Sequence, residues 1–334
     1  MKKVLVLGAT GAMGRYLVPE LVKLNYAVTG VGLDETAPWS FENVTYIKGD
    51  AFDKEFLRDL LSNGYDGVIN FMNYASRKFS DYYEMFLDNT DHYIFLSSCR
   101  VYDDKEIPVK ETSPRLLDSS DDEILKASND YCIHKAKDEN LLLESKYDNW
   151  TVVRPATTFS TMRLQLVTLE FADSVGRALA GKKVVLPIQA KDKPATLCWG
   201  GDVAKMIALT LFRDEAKREF YNVCSAESRT WEEIAEYYHN LVGLEAVWVD
   251  KEDYLKILSP EMALGTRWQL EYARLFRRIT DNSKILALTG MKQDELVSMY
   301  DGLKLEIENI PKNYVPADTQ RGIRMDEYLK NHGL

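Results

Sequence analysis

Val4-Leu5-Val6-Leu7-Gly8-Ala9-Thr10-Gly11-Ala12-Met13-Gly14 decides how the rest of the chain is read. Its first four residues are a short, continuous apolar run, the pattern of a parallel strand buried on both faces. After the glycines, Arg15 to Leu24 places Leu17, Leu21 and Leu24 on one face of a helix. The three glycines therefore stand on a strand-to-helix turn, the context that gives their spacing meaning. Such a turn brings backbone N–H groups and the positive end of a helix to one point, which suits a pyrophosphate. Gly8 permits the sharp turn, Gly11 lets a phosphate approach the backbone, and Gly14 lets the helix pack against the strand.

Working outward, four more strands are read before residue 100: Ala27–Val31, Val44–Lys48, Gly67–Phe71 and Tyr93–Leu96. They alternate with helical stretches such as Phe56–Leu61, which predicts a parallel sheet with right-handed crossovers. In such a sheet ligands sit at the carboxyl ends of the strands, where Gly8, Asp50, Phe71 and Ser98 fall. Asp34 stands about twenty residues beyond the glycines, where dinucleotide folds place a ribose-binding acid. If the second strand ends a residue or two early, Gly32 takes that place and Asp34 is a turn residue.

Farther along, Glu111–Asp122 reads as a loop, Asn129–Glu144 as a helix and Trp150–Arg154 as a sixth strand stopped by Pro155. Helices are expected over Leu164–Leu179, Val203–Phe212 with Asp202 as N-cap, Trp231–Leu241, Glu252–Leu258, Trp268–Phe276 and Asp294–Ile307. Thr230 and Glu233 have capping-box spacing. Lys182–Leu186 and Phe220–Val223 read as strands, and the chain from Pro311 as a packed or flexible tail.

The composition narrows the function classes. With 334 residues and 46% hydrophobic residues, the chain suits one large domain with a smaller companion. A net charge of −10, with the charges interspersed, disfavours nucleic acid as a partner, because phosphate contacts need clustered Lys and Arg. Cys99, Cys132, Cys198 and Cys224 make no CxxC pair and His92, His134, His239 and His332 are scattered, so no structural metal is expected. Reduced thiols, no signal-peptide pattern and no membrane-length apolar run lead to the expectation of a cytoplasmic protein away from the membrane.

A second stretch, Tyr131-Cys132-Ile133-His134-Lys135, puts Tyr131 and Lys135 on one face of the predicted helix. Downstream of a nucleotide-binding turn, with Ser98 at a strand end, the pair makes coherent chemistry. Oxidising an alcohol carbon needs a base for the hydroxyl proton, and a tyrosine serves if a nearby ammonium lowers its pKa. Lys135 would supply that charge and hold the nicotinamide ribose, and Ser98 would hydrogen-bond the reacting oxygen.

Together these residues resemble the extended short-chain dehydrogenase/reductases of the NAD-dependent epimerase/dehydratase family, many of which act on nucleotide sugars. The resemblance rests on Gly8-x-x-Gly11-x-x-Gly14, Gly49-Asp50, Ser97 to Tyr102, Tyr131-x-x-x-Lys135, Arg154-Pro155 and Gly201-Asp202-Val203-Ala204, in family order. It covers roughly residues 1–225 and continues more faintly to about 310, through Asp281-Asn282-Ser283-Lys284 and Leu288-Thr289-Gly290. It implies that Ala12 and Met13 contact the pyrophosphate through their backbone. It further implies that Asp50 and Ala51 meet the adenine, that Phe71 and Met72 line the cofactor cleft, and that Pro155 lies beside the nicotinamide. Ser98, Tyr131 and Lys135 would be the catalytic set.

Two departures matter. Where the family's sugar-nucleotide dehydratases carry an acidic pair after the catalytic Ser or Thr, this chain has Cys99 and Arg100, so a dehydratase is disfavoured. Arg100 is left either to meet an anionic substrate group or to pair with Asp103 or Asp104. The segment 73–90, with Tyr74-Ala75-Ser76-Arg77-Lys78-Phe79-Ser80-Asp81-Tyr82-Tyr83, lacks the usual family helix and resembles the chloroplast stem-loop RNA-binding branch of the superfamily. A non-redox RNA-binding or regulatory protein is therefore the alternative. Retention of Tyr131 and Lys135 and the acidic charge favour the enzyme.

The fold expected is α/β: a Rossmann-type doubly wound parallel sheet with a smaller, mostly helical C-terminal substrate lobe. Residues 1–160 and 196–225 would form the NAD(P)-binding domain, 161–195 and 226–310 the substrate lobe, and 311–334 a tail. The function expected is an NAD(P)-dependent epimerase or reductase of a sugar-like alcohol, with a nucleotide sugar as small-molecule substrate and Tyr131 as acid/base. NAD is preferred over NADP, because Asp34 disfavours a 2′-phosphate and no Arg follows the second strand closely. Arg163, Arg267, Arg274, Arg277 and Arg278 are candidates for the diphosphate, with Trp268 as a stacking surface. A homodimer stays open.

Overall fold

Apolar residues at every position of a strand require cover on both sides, and the first strand receives it. In the computed structural model, which describes residues 1–75 and 78–334, Lys3–Leu7 (β1) lies mid-sheet with Val4, Leu5, Val6 and Leu7 fully buried. Ala27–Gly32 (β2) and Val44–Lys48 (β3) extend the sheet to one side. Gly67–Asn70 (β4), His92–Leu96 (β5), Trp150–Pro155 (β6) and Glu219–Val223 (β7) extend it to the other. All six neighbouring pairs in the order β7-β6-β5-β4-β1-β2-β3 are parallel. The chain therefore reverses its direction of travel between β1 and β4, and the crevice outside their carboxyl ends is a topological switch point.

Each face of the sheet takes its own helices. Gly14–Lys23 (α1) and Gly200–Thr210 (α4) bury Leu17, Val18, Leu21, Val203, Met206 and Ile207 on one face. Lys54–Leu61 (α2) and Tyr131–Glu144 (α3) contribute Leu57, Leu60, Leu61 and Leu142 to the other. A second core gathers Phe159, Leu164, Val184, Trp231, Tyr238, Tyr254, Leu270 and Leu303. Around it run a parallel ribbon, Val184–Pro187 with Ala246–Val249, and helices including Trp231–Val242 (α5). The capping box at Thr230 and Glu233 opens α5 as its sequence predicts.

Several local expectations give way to tertiary packing. Leu164–Glu170 is not helical: Leu166 and Leu169 exchange backbone bonds of 2.9 and 3.0 Å around Val167 at φ +54°. All six side chains from Leu164 to Leu169 are buried there, an arrangement no one-sided helix provides. The helix expected from residue 164 is reduced to Val175–Leu179, after a 3₁₀ turn at Phe171–Asp173. The Glu111–Asp122 loop contains a short helix at Leu116–Ser119. The expected Asp294–Ile307 helix opens instead at Ser298, which caps Met299–Glu308. The C-terminal stretch is not a loose tail. Its helix Gln320–His332 (α6) buries Met325 and Leu329 in the second core, and Arg177 bonds Gly322 O at 2.9 Å and Asp326 at 2.6 Å.

The aromatic segment after β4 also finds a structural role. Tyr74, Phe79, Tyr82 and Phe86 are buried, and Phe79 stacks on Phe95 of β5 at 4.7 Å. These rings form core, so they provide no platform for stacking bases. Ser76 and Arg77 of that stretch lie outside the described residues. Among the described residues no helix is long and apolar enough to cross a membrane.

Asp202 does not cap α4; Trp199 does, because the helix opens at Gly200. Asp202 sits in the first turn and accepts from Val297 N at 2.7 Å. Burial pushes its carboxyl from 3.8 up to about 6. A value raised in the folded state means that stability falls as pH rises between about 4 and 6, and the deficit persists at neutral pH. Asp202→Asn keeps an acceptor for Val297 and removes the charge. It should raise stability at pH 7 by about 1–3 kcal/mol and flatten the stability profile in that window, as read by thermal melts across pH.

Candidate active site

The glycine turn begins at the carboxyl end of β1. Gly8 has φ +79°, a conformation that L side chains rarely adopt, and Gly8 N and Ala9 N donate to Val31 O of β2 at 3.0 and 2.9 Å. Gly11 N donates back to Gly8 O at 3.1 Å. Among the described residues, Ala12 and Met13 donate no backbone bond, and α1 opens without a side-chain cap. Both residues line a cavity of about 460 Å³ together with Gly8, Gly11 and Gly14. Unused donors at a helix N-terminus fit an anionic group such as a pyrophosphate.

Gly14 is fixed by space. A Cβ there would lie 2.4 Å from Gly8 O and 2.5 Å from Ala9 O, both backbone atoms. Gly14→Ala must therefore displace the turn. It should abolish any stabilisation by NAD and cost about 1–3 kcal/mol in the absence of ligand, as read by melts with and without the dinucleotide.

Ser98, Tyr131, Lys135, Phe71 and Pro155 line the same cavity. Ser98 lies two residues beyond β5 and accepts from Arg100 N at 3.1 Å, opening the Cys99–Val101 3₁₀ turn. Asp130 caps α3 through Cys132 N at 3.1 Å, so Tyr131 begins the helix at a fixed orientation. Lys135 follows one turn later, 1% exposed, with Nζ donating to Leu96 O at 2.7 Å and Met72 O at 3.4 Å. Burial brings its ammonium down to about 8, against the pull of Asp138 and Glu139.

The electrostatics of Tyr131 differ from the sequence expectation. Burial raises its phenol, and the largest influences drawing it back are the Arg100 guanidinium, a hydrogen bond with Ser98 and Arg163. The Arg100 guanidinium carbon is 5.2 Å from the Tyr131 ring centre, whereas Lys135 Nζ is 6.0 Å away and already bonded to carbonyl oxygens. The chief cation for the phenol is thus Arg100. Neither alternative partner claims Arg100: it pairs with Asp130 at 3.3 Å, whereas Asp103 pairs with Lys105 and Asp104 with Arg277. Cys99 is buried, donates Sγ to Arg154 O at 3.1 Å, and is pushed up to about 12 by burial, so it stays a thiol.

Other candidates fall outside the cavity. β2 ends at Gly32, whose Cβ position would lie 2.6 Å from Thr10 Oγ1, and Asp34 is exposed two residues beyond. Asp50 accepts from Phe52 N at 2.9 Å as a turn residue, and Ala51 is 3% exposed. Met72 stands behind Gly8, with Sδ 3.7 Å from the Cβ position of that glycine. In the second lobe, Arg163, Arg274 and Arg278 line the cavity. Arg267 is instead held by Glu252 and Glu271, and Trp268 is packed with Leu116, Leu125 and Ile133. The helix expected at Trp268–Phe276 begins at Leu264 and passes into a π-helix at Leu270–Arg274. That wider turn sends Arg274 inward and leaves Arg277 beyond the helix, so the two share no face.

The group that sequence reasoning missed lies behind the site. Glu139, fully buried on α3, takes Arg154 Nε and Nη2 at 2.7 Å each, Arg115 Nη1 at 3.1 Å and Ser97 Oγ at 2.5 Å. Arg154 also donates to Tyr102 Oη at 2.7 Å. This network ties the helix bearing Tyr131 and Lys135 to the ends of β5 and β6. Its signal in the sequence was a Glu one helical turn after Lys135 and an Arg before the strand-ending Pro155.

Comparison with known proteins supplies context. The family described as NAD dependent epimerase/dehydratase matches residues 4–224. An epimerase from Methanothermobacter thermautotrophicus is 18% identical with a TM-score of 0.69, over 92% of this chain and 91% of that one. UDP-glucose 4-epimerase from Thermus thermophilus, solved with NAD, is 17% identical with a TM-score of 0.68, over 93% and 100%. UDP-glucuronic acid 4-epimerase from Bacillus cereus, solved with UDP-glucuronic acid and NAD, is 16% identical with a TM-score of 0.66, over 93% and 100%. No curated protein sequence matches the chain.

Proposed function

The chain belongs to the NAD dependent epimerase/dehydratase family, and from that premise we propose that it binds NAD across the β1–β4 crevice and epimerises one carbinol carbon of a nucleotide sugar. The observation that carries this reading is the convergence of Ser98, Tyr131 and Lys135 on the glycine turn in one cavity. The similar solved structures include UDP-sugar epimerases with NAD bound, which supports both cofactor and substrate class.

When bound, nicotinamide supplies a group that can take up and return hydride. The chain's own residues do the rest. Tyr131 removes the hydroxyl proton as the carbon is oxidised and gives it back afterwards. Ser98 hydrogen-bonds the reacting oxygen and Tyr131 together, and Arg100 favours the phenolate. Lys135, anchored on Leu96 O, lines the cavity and would hold the nicotinamide ribose. The unused N–H groups of Ala12 and Met13 would hold the pyrophosphate, and Pro155 would lie beside the nicotinamide. No carboxylate follows Ser98, so the chain lacks the acid that elimination of water would need there.

The test is thermal stability with NAD, with NADP and with neither, together with analysis of any nucleotide released on denaturation. NAD at a hundredfold excess over Kd should stabilise the protein by about 3 kcal/mol. No shift with either dinucleotide and no released nucleotide would refute the reading.

A further inference from the structure

We propose that the substrate carries an anionic group, a carboxylate or a phosphate, on the same sugar that reacts at Tyr131, and that Arg100 and Arg274 recognise it. This rests on the reading of the cavity as a sugar-oxidising site.

Arg274 is 9% exposed and lines the cavity. Its Nη1 donates to Thr157 Oγ1 at 3.0 Å and its Nη2 to Gln165 Oε1 at 3.5 Å, both neutral partners, and its buried Nε has no partner among the described residues. Arg100 likewise keeps a buried Nε without a partner beyond its pairing with Asp130. Arg278 stands close by and spends its donors on the carbonyls of Tyr102, Asp103 and Tyr272. Burial first, and Arg100 among the neighbouring charges, brings both Arg274 and Arg278 down to about 10. Three guanidinium groups thus line the cavity with two carboxylates near them, Asp130 paired to Arg100 and the exposed Glu170, which bonds Gln165 rather than an arginine. Buried cations so placed are costly unless an anion joins them, and guanidinium forks match carboxylate and phosphate oxygens.

Position locates that anion. Arg100 lies two residues from Ser98 and against the Tyr131 ring, and Arg274 bonds Thr157, two residues after Pro155. Arg100 therefore stands at the proposed reacting oxygen, and Arg274 lines the same cavity. Arg163, exposed and also lining the cavity, acts on the Tyr131 phenol as well.

Calorimetric titration of the NAD-loaded protein separates the possibilities, with UDP-glucuronate against UDP-glucose and glucose 6-phosphate against glucose. At least one acidic member should bind about 10–100-fold tighter than its neutral counterpart, the range for charge-assisted bonds. That preference should fall to near unity in Arg274→Gln and, on a less buried side chain, in Arg100→Gln. Equal affinities within both pairs, no binding of any probe, or a preference that survives both substitutions would overturn the proposal. If glucose 6-phosphate wins its pair and no UDP-sugar binds, the nucleotide-sugar reading fails and the anion site stands. If UDP-glucose binds as tightly as UDP-glucuronate and glucose 6-phosphate gains nothing over glucose, the anion site fails and the nucleotide-sugar reading stands.

Discussion

Tyr131→Phe is expected to lower turnover by about 10²–10⁴-fold, the contribution of one positioned acid/base, with NAD binding retained. The substitution removes a single oxygen and leaves α3 capped by Asp130. The ring remains against Arg100, so the fold should be unchanged by circular dichroism and thermal melting. The pH profile adds a sharper check. Burial raises the phenol while Arg100, Ser98 and Arg163 draw it down. On the proposed mechanism the base works as phenolate, so removing a cation should move the ascending limb of kcat toward higher pH. Arg100→Gln should produce that shift, and Lys135→Met a smaller one, because Arg100 lies nearer the ring. Full activity in Tyr131→Phe would exclude the phenol as the base.

The second large effect is on stability. Arg154→Met should cost about 3–5 kcal/mol, because it removes the bidentate partner of the buried Glu139 and leaves only Arg115 and Ser97 beside that charge. Burial alone would push the Glu139 carboxyl up, but Arg154, Ser97 and Arg115 hold it below the ordinary range. A depressed value means that the stabilisation is present above the unfolded carboxylate range and is lost as pH falls through the folded value. The variant should therefore unfold more readily at neutral pH and depend less on pH under acid conditions. Glu139→Gln should also destabilise, and the double variant should lose less than the sum of the two, because the residues act as one unit. Additive losses in chemical denaturation would show that the pair is not coupled. Activity should fall as well, since the network holds α3 against β5 and β6 and so sets where Tyr131 stands.

What could be read in the sequence was what local chemistry determines. Val4–Leu7 had to be a buried strand, Gly8 to Gly14 had to turn, and Tyr131 and Lys135 had to share a helix face. The order of alternating strands then gave the doubly wound sheet and placed Ser98 and Phe71 beside the glycines. What escaped was whatever depends on a distant partner. Leu164–Leu169 looks helical until Tyr238 and Tyr254 are packed around it as one core. Trp268 looks like a stacking surface until Leu116 and Leu125 cover it. Five arginines looked alike in the sequence. Glu252 together with the nearby Glu271 pairs Arg267 and the distant Asp104 pairs Arg277, whereas the cavity takes Arg163, Arg274 and Arg278. Arg100 shows the same limit for electrostatics, since its closeness to the Tyr131 ring depends on how β5 and α3 end at one edge of the sheet.

The decisive measurement is the configuration of the sugar after incubation of the purified protein with NAD and, separately, UDP-glucose and UDP-glucuronate, read by proton NMR. Epimerisation at Tyr131 requires that a second epimer accumulate to a fixed ratio from at least one of them, that reduced nicotinamide not build up, and that Tyr131→Phe prevent it. Starting sugars left unchanged by a protein that binds both NAD and the UDP-sugar would contradict it.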